Sequence, residues 1–248
     1  MKYSSVFPVF FIGLTIALTM FSTPLVAQEI SISLGDDGSI TSRSIQLLLL
    51  ITVLSIVPGL AIMITCFPFI VTVLAILRQA IGLQQSPPNM LIISLALFLT
   101  YFVMEPVFME AWVSGIEPLI NNKISVEQSF TKAIFPFRHF MAARIDPDTF
   151  ETLTALRPDS VLAGNTADQP LSLLIPSFLL SEVERAFEIG FLVFLPFLII
   201  DLVVAAILMS MGMMMVPPAI VSLPFKLSFF VVADGWSLIS STLVRSYF

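Results

Sequence analysis

The chain has 248 residues, 57% of them hydrophobic and only 11% charged, with a net charge of −6 and a mean hydropathy of +1.01. A soluble domain carries about a quarter charged residues, so this composition excludes an ordinary soluble enzyme and points to a protein that works in, or is assembled through, a membrane. The acidic balance, with no cluster of Lys and Arg to neutralise phosphates, excludes a nucleic-acid partner, and Cys66, the only cysteine, excludes an internal disulfide.

The first 27 residues have the form of an export signal: Lys2, an apolar run from Val6 to Met20, then Pro24 and the small Ala27 before Gln28. Cleavage after Ala27 is expected; the alternative is a retained first membrane helix. Residues 28–44 (QEISISLGDDGSITSRS) read as a flexible extracytoplasmic arm. No charged side chain then occurs between Arg43 and Arg78, or between Arg78 and Glu105, and each span exceeds the ~20 apolar residues a membrane helix needs. The intervening RQAIGLQQSPPN, with Gly82 and Pro87-Pro88, is a turn, so residues 45–104 are expected to form a first helical hairpin.

Residues 105–176 differ in character. They are acidic and polar, with helical apolar spacing around Val126, Phe130, Ile134 and Phe137, and they suit the outer face, whereas the short turn with Arg78 suits the cytoplasmic side. His139 has no second His or Cys near it, so no metal constellation is present in the sequence.

Residues 177–248 hold two more apolar runs joined at MSMGMMMVPP, 209–218, and are expected to form a second hairpin. Pro58, Pro68, Pro196 and Pro224 interrupt helical runs, each removing a backbone hydrogen bond, so that Pro196, Pro224 and the Pro217-Pro218 exit are candidate hinges. Centring the turn between Met213 and Met214 puts Asp201 and Lys226 at one depth, and Glu182 and Arg245 at another, farther out. Charges inside an apolar bundle face a partner or a water-filled cavity. Asp201 with Lys226 is therefore the natural pair, closed within the chain or between neighbouring copies.

The turn concentrates Met209, Met211, Met213, Met214 and Met215 around Gly212. Filling of irregular gaps is the plain account of such a cluster, since Met is unbranched and adaptable. Irregular backbone at membrane depth, however, is tolerated where it is buried in protein or lines a cavity. Several copies around an axis would make a ring of thioethers that resists water and ions yet flexes apart for a passing chain.

The run SEVERAFEIGFLVFLPFLIIDLVVAAILMSMGMMMVPPAIVSLPFKLSFFVVADGW, 181–236, together with LRQAIGLQQSPPN, 77–89, and SLALFLTYFVMEPV, 94–107, resembles the FliP family of flagellar type III secretion export-gate proteins. The resemblance implies an all-α, integral membrane-type protein of two long kinked helical hairpins with a helical extracytoplasmic insertion between them. It also implies a bacterial inner-membrane location at the flagellar basal body and assembly of several copies with FliQ- and FliR-type subunits. FlhA- and FlhB-type export components are implied partners, unfolded flagellar proteins the cargo, and the methionine loop a gasket that closes the channel at rest. No cofactor and no enzymatic activity are implied. In the family the acidic and basic positions fall on Glu182 and Lys226, so pairing of these two between subunits competes with Asp201–Lys226. The chain departs from the family pattern at Phe67-Pro68-Phe69, where a basic residue is usual, and at Glu184 and Glu188, which replace Lys and Gln. The competing reading is a small-molecule or ion transporter, for which broken helices and a charge pair at one depth are characteristic.

Overall fold

The computed structural model describes residues 40–83, 87–157, 165–213 and 215–248. The expected export signal at 1–27, most of the expected arm at 28–44, and Met214 lie outside the described residues. Among the described residues the chain is helical, without a strand: α1 Ile40–Met63, α2 Phe67–Ile81, α3 Asn89–Ala111, a five-residue π turn Trp112–Ile116, α4 Glu117–Ile120, α5 Val126–Ala142, α6 Pro147–Leu156, α7 Leu171–Ser210, α8 Pro218–Val232 and α9 Gly235–Arg245. Three of these stretches are long and apolar enough to cross a membrane, Ser44–Met63, Asn89–Ile120 and Leu171–Ser210, or four if the bent pair α8–α9 counts as one span.

Contacts divide the chain into residues 1–51 and 52–248. In the first unit the described residues are the opening turns of α1, whose side chains from Ser44 to Ile51 are exposed. The helix begins at Ile40, inside the stretch expected to be an arm.

The second unit contains the packed core, and α2 is its axis. One face of α2, carrying Phe69, Ile70, Val73, Leu74 and Leu77, is fully buried. It packs against Ile92, Ala96, Leu99 and Val103 of α3 and against Ala186 and Phe197 of α7. The approach of α7 is close because Gly190 has no side chain: a Cβ placed there would lie 2.4 Å from Ile76 Cδ1.

The proline positions correct the expected boundaries. The run 45–77 is not one rod; it breaks at Ile64–Cys66, and Pro68 stands in the first turn of α2. There the missing N–H would have been unsatisfied anyway, so this proline starts a helix and does not kink one. Pro176 and Pro196, by contrast, lie inside α7, which runs 40 residues without interruption. The expected final run divides at Ala233–Asp234, where Asp234 takes a left-handed φ of 47° and the axes of α8 and α9 bend by 62°. Phe230 packs so tightly on Gly235 that a Cβ there would meet its ring at 2.2 Å, which fixes the bend.

The 105–176 segment folds back on α3 through the π turn. Ser129 Oγ donates to the Gly115 carbonyl at 3.0 Å, and Gly115 approaches the backbone of Ala133. Helix α5 is started by a capping box, Ser125 Oγ accepting from the Gln128 N–H and the Gln128 side chain accepting from the Ser125 N–H. Helix α6 is capped by Asp146, which accepts from the Thr149 N–H at 2.9 Å.

Candidate functional site

Two arrangements concentrate the chain's unusual chemistry: a buried ionic cluster around Glu182, and the methionine turn with the charge pair behind it.

Glu182, on the face of α7 turned toward the core, is fully buried. A bare carboxylate there would be costly, and it is answered from two directions. Arg144 Nε donates to Glu182 Oε1 at 2.9 Å, and Tyr247 Oη donates to Oε2. Arg144 also donates from Nη1 to the Ser246 carbonyl at 2.7 Å, and its guanidinium stacks 4.0 Å from the Tyr247 ring centroid. Its Nη2 is buried without a hydrogen-bond partner; the negative face of that ring offsets part of the loss. Burial, followed by the Glu182 charge, pushes the Tyr247 phenol well above the usual tyrosine range, so it stays a proton donor. Tyr247 packs edge-on to Phe69 and stacks on Phe140. The cluster thus ties the residues after α5, the first third of α7, the start of α2 and residues 246–247 to one another.

Glu182 contacts neither Arg245, its match by depth, nor Lys226, its match by family position. Equal depth does not fix rotation about the helix axis: Arg245 is exposed, while Ser246 and Tyr247, the next two residues, turn inward.

Lys226 is 5% exposed, and its Nζ donates to Asp201 Oδ2 at 2.5 Å and to the Ala80 carbonyl at 3.1 Å. Ala80 belongs to the last turn of α2, whose carbonyls lack intrahelical partners, so the ammonium both satisfies one of them and sits at the negative end of the helix dipole. Gly82, with φ of 88°, ends the helix in the left-handed conformation beside it. The other oxygen of Asp201, Oδ1, accepts from Ser222 Oγ at 2.5 Å. The carboxylate therefore holds α8 at two points one helical turn apart.

From Asp201 the proline-free end of α7 leads to the methionine turn. Gly212, with φ of 75°, closes the helix in a Schellman arrangement: the Met213 N–H reaches the Leu208 carbonyl at 2.9 Å and the Gly212 N–H reaches the Met209 carbonyl at 3.1 Å. Pro218 opens α8 in the position that suits proline. Met209, Met211 and Met215 are exposed, Met215 at 98%, and Met213 is at the margin of exposure. Between the ends of α7 and α8 an apolar groove of about 510 Å³ is walled by Val203, Ile207, Met211, Met213, Val221 and Phe225. The surface that follows is equally apolar, with Leu202, Ile207, Ile220 and Phe225 all exposed. Contiguous apolar surface of this kind marks a contact with lipid or with other subunits.

Sequence reasoning missed Arg144, Tyr247 and Ser222. For Arg144 a signal existed: Glu182 inside an apolar helix needs a base, and bases outside its own hairpin were equally eligible. Among the described residues no group of His, Cys, Asp and Glu could hold a metal ion.

A profile described as the FliP family matches residues 50–243. The chain is 48% identical to the "Flagellar biosynthetic protein FliP" of Caulobacter vibrioides over 94% of this chain and 87% of that protein. It is 45% identical to the protein of the same name in Bacillus subtilis, over 88% and 98% of the two chains, and 46% identical to that of Aquifex aeolicus, over 82% and 86%.

Proposed function

The chain belongs to the FliP family of flagellar biosynthetic proteins of the export apparatus, and on that premise we propose that it is a core subunit of the flagellar type III export gate. In this reading several copies assemble with FliQ- and FliR-type subunits in the bacterial inner membrane at the flagellar basal body, with residues 105–176 on the outer side. The assembly encloses the channel for unfolded flagellar proteins, delivered through FlhA- and FlhB-type components. The methionine turn closes that channel at rest.

One observation carries the gating part of the reading. The α7 end of the turn is an ordinary hydrogen-bonded helix stop, yet Met209, Met211 and Met215 are held outward, not packed as filling. Packing the subunit's own core does not account for side chains so exposed. Brought together around an axis, flexible thioethers form an apolar plug that adapts to any chain pushing through it. The α7–α8 charges fit this reading too: Asp201 and Lys226 bind each other, Ser222 and a helix end, as a structural clamp does.

Mild-detergent isolation followed by mass measurement of the particle and its co-purifying subunits tests the assembly. A large fixed complex is expected. A monomer or dimer whose stability depends on a small substrate would favour the transporter.

A further inference from the structure

Asp201 uses its two oxygens for two different jobs. Oδ2 accepts from Lys226, which also holds the end of α2 through the Ala80 carbonyl. Oδ1 accepts from Ser222, which lies nearer the methionine turn. Between these two contacts on α8 stands Pro224. Proline cannot donate to the carbonyl four residues earlier, so the helix is weakened there. The first part of α8, 218–223, thus lies beyond a proline hinge and is tied to α7 by the hydroxyl of Ser222. The facing part of α7, 202–210, has no proline and is the stiffer wall. Between the two walls runs the apolar groove, unfilled by side chains of this subunit.

The two contacts also differ in what it takes to break them. A hydroxyl has one proton, and Ser222 Oγ is within reach of a second acceptor, the Ala219 carbonyl of its own helix, at 3.2 Å. If Ser222 lets go of Asp201, its donor is satisfied at once. Asp201, with its side chain 31% exposed, can take water in exchange. Lys226, by contrast, is 5% exposed, and releasing it would strand a cation in a buried place.

We propose that Ser222 is a positioning residue: a catch that holds the first turns of α8 against α7, releasing to let 218–223 swing about Pro224 while Lys226 keeps the pivot fixed. The methionine turn joins this segment to the end of α7, so the consequence for leak rests on reading that turn as the seal, while the movement itself does not.

The test uses the full chain in its isolated membrane complex, with Cys66, which is buried, changed to Ala and a single reporter, Val221→Cys, on the groove side of α8. The rate of maleimide labelling at position 221 reports how often the groove opens; Leu243→Cys, in the core, is the control. Ser222→Ala is expected to label position 221 about tenfold faster, the factor given by losing one hydrogen bond to a charged group, with complex yield and the control unchanged. Ser222→Thr, which keeps the hydroxyl, is expected to restore the slow rate. Unchanged labelling in Ser222→Ala with normal yield would overturn the proposal, as would faster labelling at both positions with loss of complex, since either result makes Ser222 a packing residue. Faster labelling at 221 alone, without added ion conductance at rest, would uphold the catch and sink the seal.

Discussion

The two ends of α7 are built on opposite plans. Around Glu182 the closest partners, Arg144 and Tyr247, come from distant parts of the chain, and Phe69 and Phe140 pack around them. Around Met211 almost every contact is local, and the side chains face outward. One helix therefore runs from a region cross-linked through the fold to one whose side chains stay outside the subunit's own packing. Charge-assisted bonds in a buried site have steep geometric requirements, whereas thioethers have shallow ones. The gate role proposed above would use both: a frame that does not move, and an end that yields.

The sharpest way to break this comparison is to remove the centre of the frame. Glu182→Ala leaves Arg144 buried without its carboxylate, which costs about 3–5 kcal/mol. Met211→Ala removes an exposed side chain and is expected to cost less than about 0.5 kcal/mol in the unassembled subunit. Subunit accumulation in membranes, compared by quantitative immunodetection, should fall for the first and hold for the second. Equal losses would mean that the two ends are not differently built.

A smaller change sharpens the frame itself. Tyr247→Phe keeps the ring under the Arg144 guanidinium and deletes only the hydroxyl that donates to Glu182. A cost of about 1.5–3 kcal/mol is expected for one hydrogen bond to a charged group, read as a lowered thermal midpoint of the purified complex. If Tyr247→Phe matches the parent while Tyr247→Ala does not, the ring stack and not the hydrogen bond holds residues 246–247 in place.

How much of this was legible depended on whether the signal was local. Apolar length located α3 and α7, and glycine and proline located both turns, because these are properties of consecutive residues. Arg144 with Glu182 is 38 residues apart in sequence, and Tyr247 with Glu182 is 65 apart; no periodicity encodes such pairings. The break at Ile64–Cys66 was hidden because apolar residues continue on both sides of it, and Pro68 acts as a helix starter. The division of α8 from α9 did carry a local sign, the Asp234-Gly235 step, masked by the apolar run around it. Depth arithmetic set Asp201 opposite Lys226, but the third partner, the Ala80 carbonyl, is backbone and has no sequence signature.

The smallest expected effect lies outside both ends, at the start of α6. The Thr149 backbone N–H beside Asp146 holds its carboxyl below the usual carboxylate range. A depressed folded-state value means that this cap adds stability above the unfolded-state pKa and loses it as pH falls through the folded-state one. Asp146→Asn should therefore differ slightly from the parent at neutral pH and converge with it in strong acid, by hydrogen exchange of the first amides of α6. A constant difference at all pH values would assign the effect to something other than the charge.

The central claim is that the methionine turn seals and does not merely pack. Its most direct test replaces Met211, Met213, Met214 and Met215 together by Ala and measures ion conductance across bilayers containing the assembled complex, beside the yield of that complex. The account predicts normal yield with raised resting conductance, and a tight but slower gate when Leu, whose branched side chain repacks less readily than a thioether, replaces the four. Low yield with no added conductance in the Ala variant would contradict it, because that is the outcome of cavities in a packed interface.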